Sequence, residues 1–353
     1  MPETTIEEEK TAESIRLIEE SKLRVLTSDE LLKLKSRSFY KPIALLEFAK
    51  APAEADKRPS IRCAYNILRE GDTMEDGKLD LERKGWALAK FGFITSEVAR
   101  RNGEGIEDII AGDLATVTEV TLEGVRDYDN EERVFVEQFG KGTVLNEMHN
   151  LPRPIREAIR DCTGRMIIGM ENFIEKGPIQ TKKELKDYCF YVAGSVGEAL
   201  NKIVFEMDKV KLDDEQAQHF GQYLQMTNII KGIYRDWKEG RVYVPAEFHT
   251  GTSHDFLIQG KGPDADKART QTLKQMLELV GDNFPKALEY LISVPSELQG
   301  YKAFCFLPLI GARQTLETIR TANQYEVFTG VERAIKVSKG TFENIGKLAK
   351  GIV

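Results

Sequence analysis

Cysteine and histidine are scarce in this chain. The four cysteines, Cys63, Cys162, Cys189 and Cys305, lie far apart with no C-x-x-C spacing, and His149, His219, His249 and His254 form no metal-ligand pair on a helix. A zinc centre and a disulfide framework are therefore both disfavoured, and buried free thiols in a reducing compartment are expected. No run of eighteen apolar residues occurs, so no membrane-spanning helix is expected. The N-terminal MPETTIEEEKTAESIRLIEESKL is acidic and lacks the basic and apolar regions of a signal peptide. These features predict a soluble, cytoplasmic protein. There is no excess of basic residues either: 50 Lys and Arg stand against 57 Asp and Glu, a net charge of -7. A general nucleic-acid binder needs a basic stripe to neutralise phosphates, and that class is excluded as a partner. Strand–helix alternation, a Gly-rich dinucleotide loop and an internal repeat of fixed period are also missing.

What the chain does have is helical periodicity. Its 353 residues, 41% hydrophobic, suffice for a large core, and the patterns predict an all-α protein. Residues 1–25 read as an acidic N-terminal arm, either disordered in part or an amphipathic helix with Ile15, Leu17, Ile18 and Leu23 as its apolar points, and residues 26–353 as one all-α domain. Ser28 is the expected cap of SDELLKLKSRSF, and AKAPAEADKRPS at 49–60 reads as a loop. A helical region over 82–150 is interrupted at 102–105 and 127–131, and a helix ending at Gly177 follows Pro152 and Pro154. Thr181 caps a long helix with Ala193, Gly194, Ser195 and Gly197 at its middle, where glycine calls for close helix approach or room for a ligand. Residues 252–265 read as a loop.

Two acidic stretches carry the chemistry. In DTMED at 72–76, Asp72, Glu75 and Asp76 stand at i, i+3 and i+4; in YLQMTNIIKGIYRDWKEGRVYVP at 223–245, Asn228, Gly232 and Asp236 recur every four residues. Oxygen ligands aimed from two facing helices suit Mg²⁺, which keeps several waters and takes few protein carboxylates. Such ions neutralise a departing diphosphate, and departure from an allylic carbon leaves a carbocation that needs a dry, aromatic-lined cavity. Tyr65, Tyr188, Phe190, Tyr191 and Phe304 are the aromatic candidates, and Arg37, Arg69, Lys231 and Arg241 the candidates for phosphate oxygens.

The segments SRSF at 36–39, ILREGDTMED at 67–76, RMIIGM at 165–170, DYCFYVAGSVG at 187–197, QMTNII at 225–230, GRVYVP at 240–245, FCFLP at 304–308 and VFTGVERAIKVSKG at 327–340 together resemble the squalene/phytoene synthase family, in its squalene synthase branch. The resemblance implies the isoprenoid synthase fold, a helical bundle around a central cavity. It implies a Mg²⁺-dependent prenyltransferase that condenses two farnesyl or similar allylic diphosphates head to head through presqualene diphosphate, then reduces the product with NADPH. By position, Asp72 and Asp76 match the first metal-binding motif, and Asn228 and Asp236 match parts of the second. Tyr188 matches an acid/base tyrosine and Phe304 an aromatic of the second half-reaction, which with Asp72 and Asp76 make the catalytic candidates. Ser36, Arg37, Phe39, Tyr65, Arg69, Asn228, Lys231 and Arg241 are the implied substrate-binding residues, and Lys336 and Lys339 the implied NADPH-binding ones.

The chain departs from the family pattern in four places. Gly232 stands where the second motif begins with aspartate, Arg235 where its acidic partner belongs, Leu309 where glutamine is common and Ser338 where a basic residue is usual. Two alternatives follow: a divergent enzyme that ionises a prenyl diphosphate to a non-reduced or cyclised product, and a non-catalytic homologue that binds prenyl diphosphates. Hydrophobic products imply transient, peripheral membrane contact, with the lysine-bearing segment 342–353 as its amphipathic candidate. Monomer and homodimer both remain open.

Overall fold

The computed structural model describes residues 6–35, 40–46, 57–102, 107–128, 130–249, 251–330, 344–345, 347–349 and 351, and among them there is no strand. Ser36, Arg37, Phe39, Lys336, Lys339 and Ser338 lie outside the described residues. The N-terminal helices are α1 (Ile6–Ser21), α2 (Ser28–Lys35), α3 (Tyr40–Leu45) and α4 (Lys57–Asp76). Next come α5 (Leu81–Arg100), α6 (Glu107–Gly124), α7 (Asn130–Phe139), α8 (Thr143–Asn150) and α9 (Arg153–Lys176). Then follow α10 (Lys182–Cys189), a π-helical turn (Phe190–Gly194), α11 (Ser195–Asp208) and α12 (Asp214–Lys238). The last are α13 (His254–Gln259), α14 (Pro263–Gly281), α15 (Phe284–Ser293), α16 (Gln299–Thr321) and α17 (Gln324–Thr329).

Several boundaries differ from the sequence reading, each for a local reason. The cap of α2 is Thr27, not Ser28: Glu30 N donates to Thr27 Oγ1 at 3.3 Å and Thr27 N to Glu30 Oε2 at 2.9 Å, a reciprocal capping box. α4 begins at Lys57, inside the expected loop, because Pro59 is tolerated in a first helical turn. Gly142, at φ 80°, adds a break between α7 and α8 that periodicity did not show. The expected loop at 252–265 holds α13, whose N-cap Ser253 accepts from Phe256 N at 3.1 Å, and the start of α14. Thr181 does cap α10, in a capping box with Glu184, and Gly177 ends α9 at φ 73°.

α12 is the central helix, packed against the π turn, α11, α14, α15, α16 and α17. Glycine makes that packing close. A Cβ on Gly197 would strike the Ala217 carbonyl, and one on Gly221 would strike the Ala193 carbonyl, so the small residues serve the contacts of α12 with α11 and with the π turn. α1 is an ordered helix whose Leu17 is fully buried, and Gln138 of α7 ties the α1–α2 turn by accepting from Leu26 N at 2.8 Å. All four cysteines are free and buried. Ile345 and Ala349 pack onto α16 beside Ala303 and Leu307, so part of the apolar side of the C-terminal segment is spent on the core, while Leu348 stays exposed.

Two buried histidines make stability pH-dependent. The His249 and His254 rings lie tilted against each other with centroids 5.3 Å apart, and His249 Nε2 and His254 Nδ1 have no hydrogen-bond partner. Burial, followed by the neighbouring His249, pushes the His254 pKa down to about 4. The folded-state value lies below the unfolded one of about 6.5, so acid favours the unfolded chain between those two pH values. We expect a loss of roughly 3 kcal/mol from this residue on acidification from pH 7 to pH 4. Denaturant midpoints for the wild type and His254→Phe check this: the variant should lose much of the acid slope, and an unchanged slope refutes the assignment.

Candidate active site

From Ser60 on, α4 is buried on most of its circumference, and the residues that break this pattern, Arg62, Tyr65, Arg69, Asp72 and Asp76, recur every three or four positions along one face. The Asp72 and Asp76 side chains keep 40% and 33% of their exposure. Arg69 pairs with Asp72 and with Glu132, each at 3.4 Å, while Lys35 and Thr73 also engage Glu132. Protein on every other side of Asp72 strips solvent from its carboxylate and lifts its pKa to about 6, with Asp76 adding repulsion and Arg69 opposing the rise. Tyr128 Oη donates to the Asp76 carbonyl at 2.6 Å, anchoring the end of α4.

Arg241, just past α12, joins the two acidic segments. Its guanidinium meets Asp76 at 3.2 Å and Asp236 at 3.4 Å and also engages Glu239, and its backbone N–H donates to the Asp236 carbonyl at 2.8 Å. The expected approach of the two segments is thus realised through an arginine. Asn228 and Asp236, however, do not share one environment: eight residues advance a helix by two turns and about 80°, and Asn228 is exposed whereas Asp236 is buried. Asp236 is held by Arg235 at 3.1 Å as well as by Arg241, and burial raises its pKa against the pull of both arginines. Lys231 is exposed on the Asn228 side of α12.

Behind Asp76 lies a buried hydroxyl–carboxyl group. Tyr188 Oη lies 3.2 and 3.3 Å from the Glu75 oxygens and 3.2 Å from Tyr243 Oη, a shared network. The Tyr188, Tyr243 and Phe173 rings pack together with centroids 4.6 to 5.1 Å apart. Burial, then Asp76 and Asp72, lifts Glu75 to about 8, which makes it a carboxylic acid at neutral pH. Lys84 of α5 is half-buried near Glu75 and Arg241, and burial lowers its pKa. Phe304 belongs to another packing group: its ring stacks on Tyr301 with centroids 5.7 Å apart.

The sequence reading placed Glu75 on the acidic face without a role and passed over Tyr243, Phe173 and Lys84. Tyr243 sits two residues after Arg241 in an extended segment, so both project to one side; that alternation was the available signal. Phe173 and Lys84 come from helices that no motif ties to the site. Among the described residues, no three His, Cys, Asp or Glu side chains converge as a metal-ligand set.

The squalene/phytoene synthase model matches residues 32–341. The chain belongs to that family. Its relatives are prenyltransferases. The chain is similar to the squalene synthase of Rattus norvegicus, 30% identical over 313 residues, or 86% of this chain and 65% of that enzyme. It thus spans about two thirds of the length of such relatives. Among solved structures it is similar to TcSQS with a bound ligand, with a TM-score of 0.68 at 23% identity, covering 94% of this chain and 86% of the other. It is similar also to a dehydrosqualene synthase with ligand, at 0.56 and 18%, covering 97% and 98%. The family member thus has the isoprenoid synthase fold, and no described helix is long and apolar enough to cross a membrane.

Proposed function

We propose that this family member ionises an allylic prenyl diphosphate and, in the manner of squalene synthases, joins two farnesyl or similar diphosphates head to head through presqualene diphosphate. The supporting observation is the junction of partly exposed Asp72 and Asp76, the Arg241 bridge to Asp236, and the buried Tyr188–Glu75–Tyr243 network beside it. The donor set on α4 fits magnesium: burial, and to a lesser degree the neighbouring Asp76, raises the Asp72 pKa, and a cation that draws its remaining ligands from water and diphosphate would offset both. Asp72 and Asp76 would hold it, and its charge would make diphosphate a better leaving group. The second segment fits a metal less well, because Asp236 is already neutralised by two arginines and Gly232 offers no ligand.

The chain's own residues do the rest. Arg241, Arg69 and Lys84 present positive charge to phosphate oxygens, and Asn228 and Lys231 extend that surface along α12. Tyr188 holds a proton at Oη that can pass to or from Glu75. The Phe173, Tyr188 and Tyr243 rings exclude water and offer π faces to a cation. Ser36, Arg37 and Phe39 remain proposed substrate contacts, Phe304 a proposed aromatic of the second half-reaction, and Lys336 and Lys339 proposed NADPH contacts. A second reading, a single ionisation without reduction, is favoured by Gly232 and by the Arg235–Asp236 ion pair.

Mass spectrometry of products from farnesyl diphosphate and Mg²⁺, with and without NADPH, tests both readings. Squalene only with NADPH is the expected result. Presqualene diphosphate, an alcohol or a cyclic hydrocarbon regardless of NADPH supports the second reading. No turnover of any C10 to C20 allylic diphosphate refutes both and leaves a binding role.

A further inference from the structure

The two acidic segments follow one spacing but carry different charges. α4 presents Asp72, Glu75 and Asp76, whereas α12 presents Gly232, Arg235 and Asp236 at the corresponding steps. Around Asp236 stand two guanidiniums, Arg235 at 3.1 Å and Arg241 at 3.4 Å, and Arg241 is shared with Asp76 and Glu239. Arg235, whose carboxylate partner Asp236 is thus already paired with Arg241, is the cation of this corner with charge to offer an anion.

Its geometry leaves Arg235 free to act. The Asp236 side chain is 8% exposed and that of Arg241 10%, but that of Arg235 is 70% exposed. If Arg235 turned to another anion, Asp236 would keep Arg241 and would not be left as an unpaired buried charge, the arrangement that costs most. Gly232 keeps the space clear: a Cβ there would stand 2.8 Å from Asp236 Oδ2 and 3.1 Å from Arg235 Nη2. Arg235 and Gly232 thus fit as a pair, since a side chain at 232 would make the ends of the Asp236 and Arg235 side chains shift.

We propose that Arg235 is the diphosphate-binding cation of α12, a fixed guanidinium that supplies from the protein the positive charge a metal ion would otherwise bring to this segment. This deepens the prenyl-diphosphate reading of the site and rests on it. Metal dependence then resides in Asp72 and Asp76 alone, and the protein retains affinity for a diphosphate group when no metal is present. A guanidinium fork suits this task because it makes two parallel charge-assisted hydrogen bonds to phosphate oxygens.

Calorimetric titration of inorganic pyrophosphate into the full chain in EDTA, and again with Mg²⁺, tests the assignment. The wild type should bind without metal, Arg235→Gln should bind about tenfold more weakly or worse, and Arg235→Lys should fall between them. The double variant Gly232→Asp with Arg235→Glu should bind only with Mg²⁺. The high exposure of Arg235 predicts native thermal unfolding for the single variants, which circular dichroism verifies. Equal metal-free binding by wild type and Arg235→Gln, or no metal-free binding by the wild type, overturns the proposal. Either outcome leaves the prenyl-diphosphate reading intact if the wild type still turns over farnesyl diphosphate; metal-free binding lost in Arg235→Gln without any turnover supports the arginine and refutes the reaction.

Discussion

Asp72→Asn and Asp76→Asn will each lower diphosphate release from an allylic prenyl diphosphate by about 10²–10³-fold, the loss typical when one group stabilising developing charge is removed. Asparagine keeps the shape of each side chain and removes its negative charge. The two variants should nevertheless differ. Asp72 pairs with Arg69, which also has Glu132, so Asp72→Asn leaves that arginine paired and the fold unaffected. Asp76 shares Arg241 with Asp236, so Asp76→Asn also loosens the tie between α4 and α12 and should raise KM as well as lower kcat. Because the Asp72 pKa is raised to about 6, kcat/KM for the wild type should decline as pH falls through that value, where the carboxylate gains a proton and ceases to be a ligand. A pyrophosphate-release assay across pH, with both variants, checks these results; full activity in Asp72→Asn would remove the α4 face from the reaction.

The second large effect is expected at the buried network. Tyr188→Phe deletes the hydroxyl shared by Glu75 and Tyr243 and keeps the ring packed against Phe173, so stability should change little while turnover falls by about 10²-fold or more. Glu75 sharpens the test. With its pKa near 8 it is neutral below that pH, and ionising it would add a third negative charge beside Asp72 and Asp76, which repels a diphosphate. The pH profile should therefore fall above about 8 in the wild type and lose that limb in Glu75→Gln, which stays neutral throughout. If Tyr188→Phe turns over substrate normally, the hydroxyl is a packing contact, and the proton must be carried elsewhere.

Much of this was legible in one dimension because helices repeat in register with their sequence. Asp72, Asp76, Arg69 and Tyr65 share a face for that reason alone, and Gly177 and Thr181 marked helix ends because each cap depends on residues within one turn. Legibility failed where a boundary depended on a neighbour further along the chain. α13 inside the supposed loop is held by Arg269 of α14, which donates to the Leu257 and Gly260 carbonyls, a contact twelve and nine residues away. The π turn at Phe190–Gly194 answers to close packing on α9 and α12: a Cβ on Gly169 of α9 would collide with Tyr191, and one on Gly221 of α12 with the Ala193 carbonyl. Asp236 and Asn228 looked equivalent at two steps of four, yet the drift of about 80° over those eight residues brings one into the interior and leaves the other outside.

By itself the sequence determined the class of the fold, the family, the acidic face of α4 and the residue types at the head of the site, since all of these follow from local periodicity and from motifs contiguous in the chain. Only the tertiary structure decided the electrostatics. Glu75 became an acid and Asp72 a strained carboxylate because burial and like charge raise the free energy of an anion, and both depend on atoms supplied by distant helices. The ion pairs of Asp236 with Arg235 and Arg241 arise for the same reason: charge is settled by what is near in space, and the chain order records only what is near in sequence.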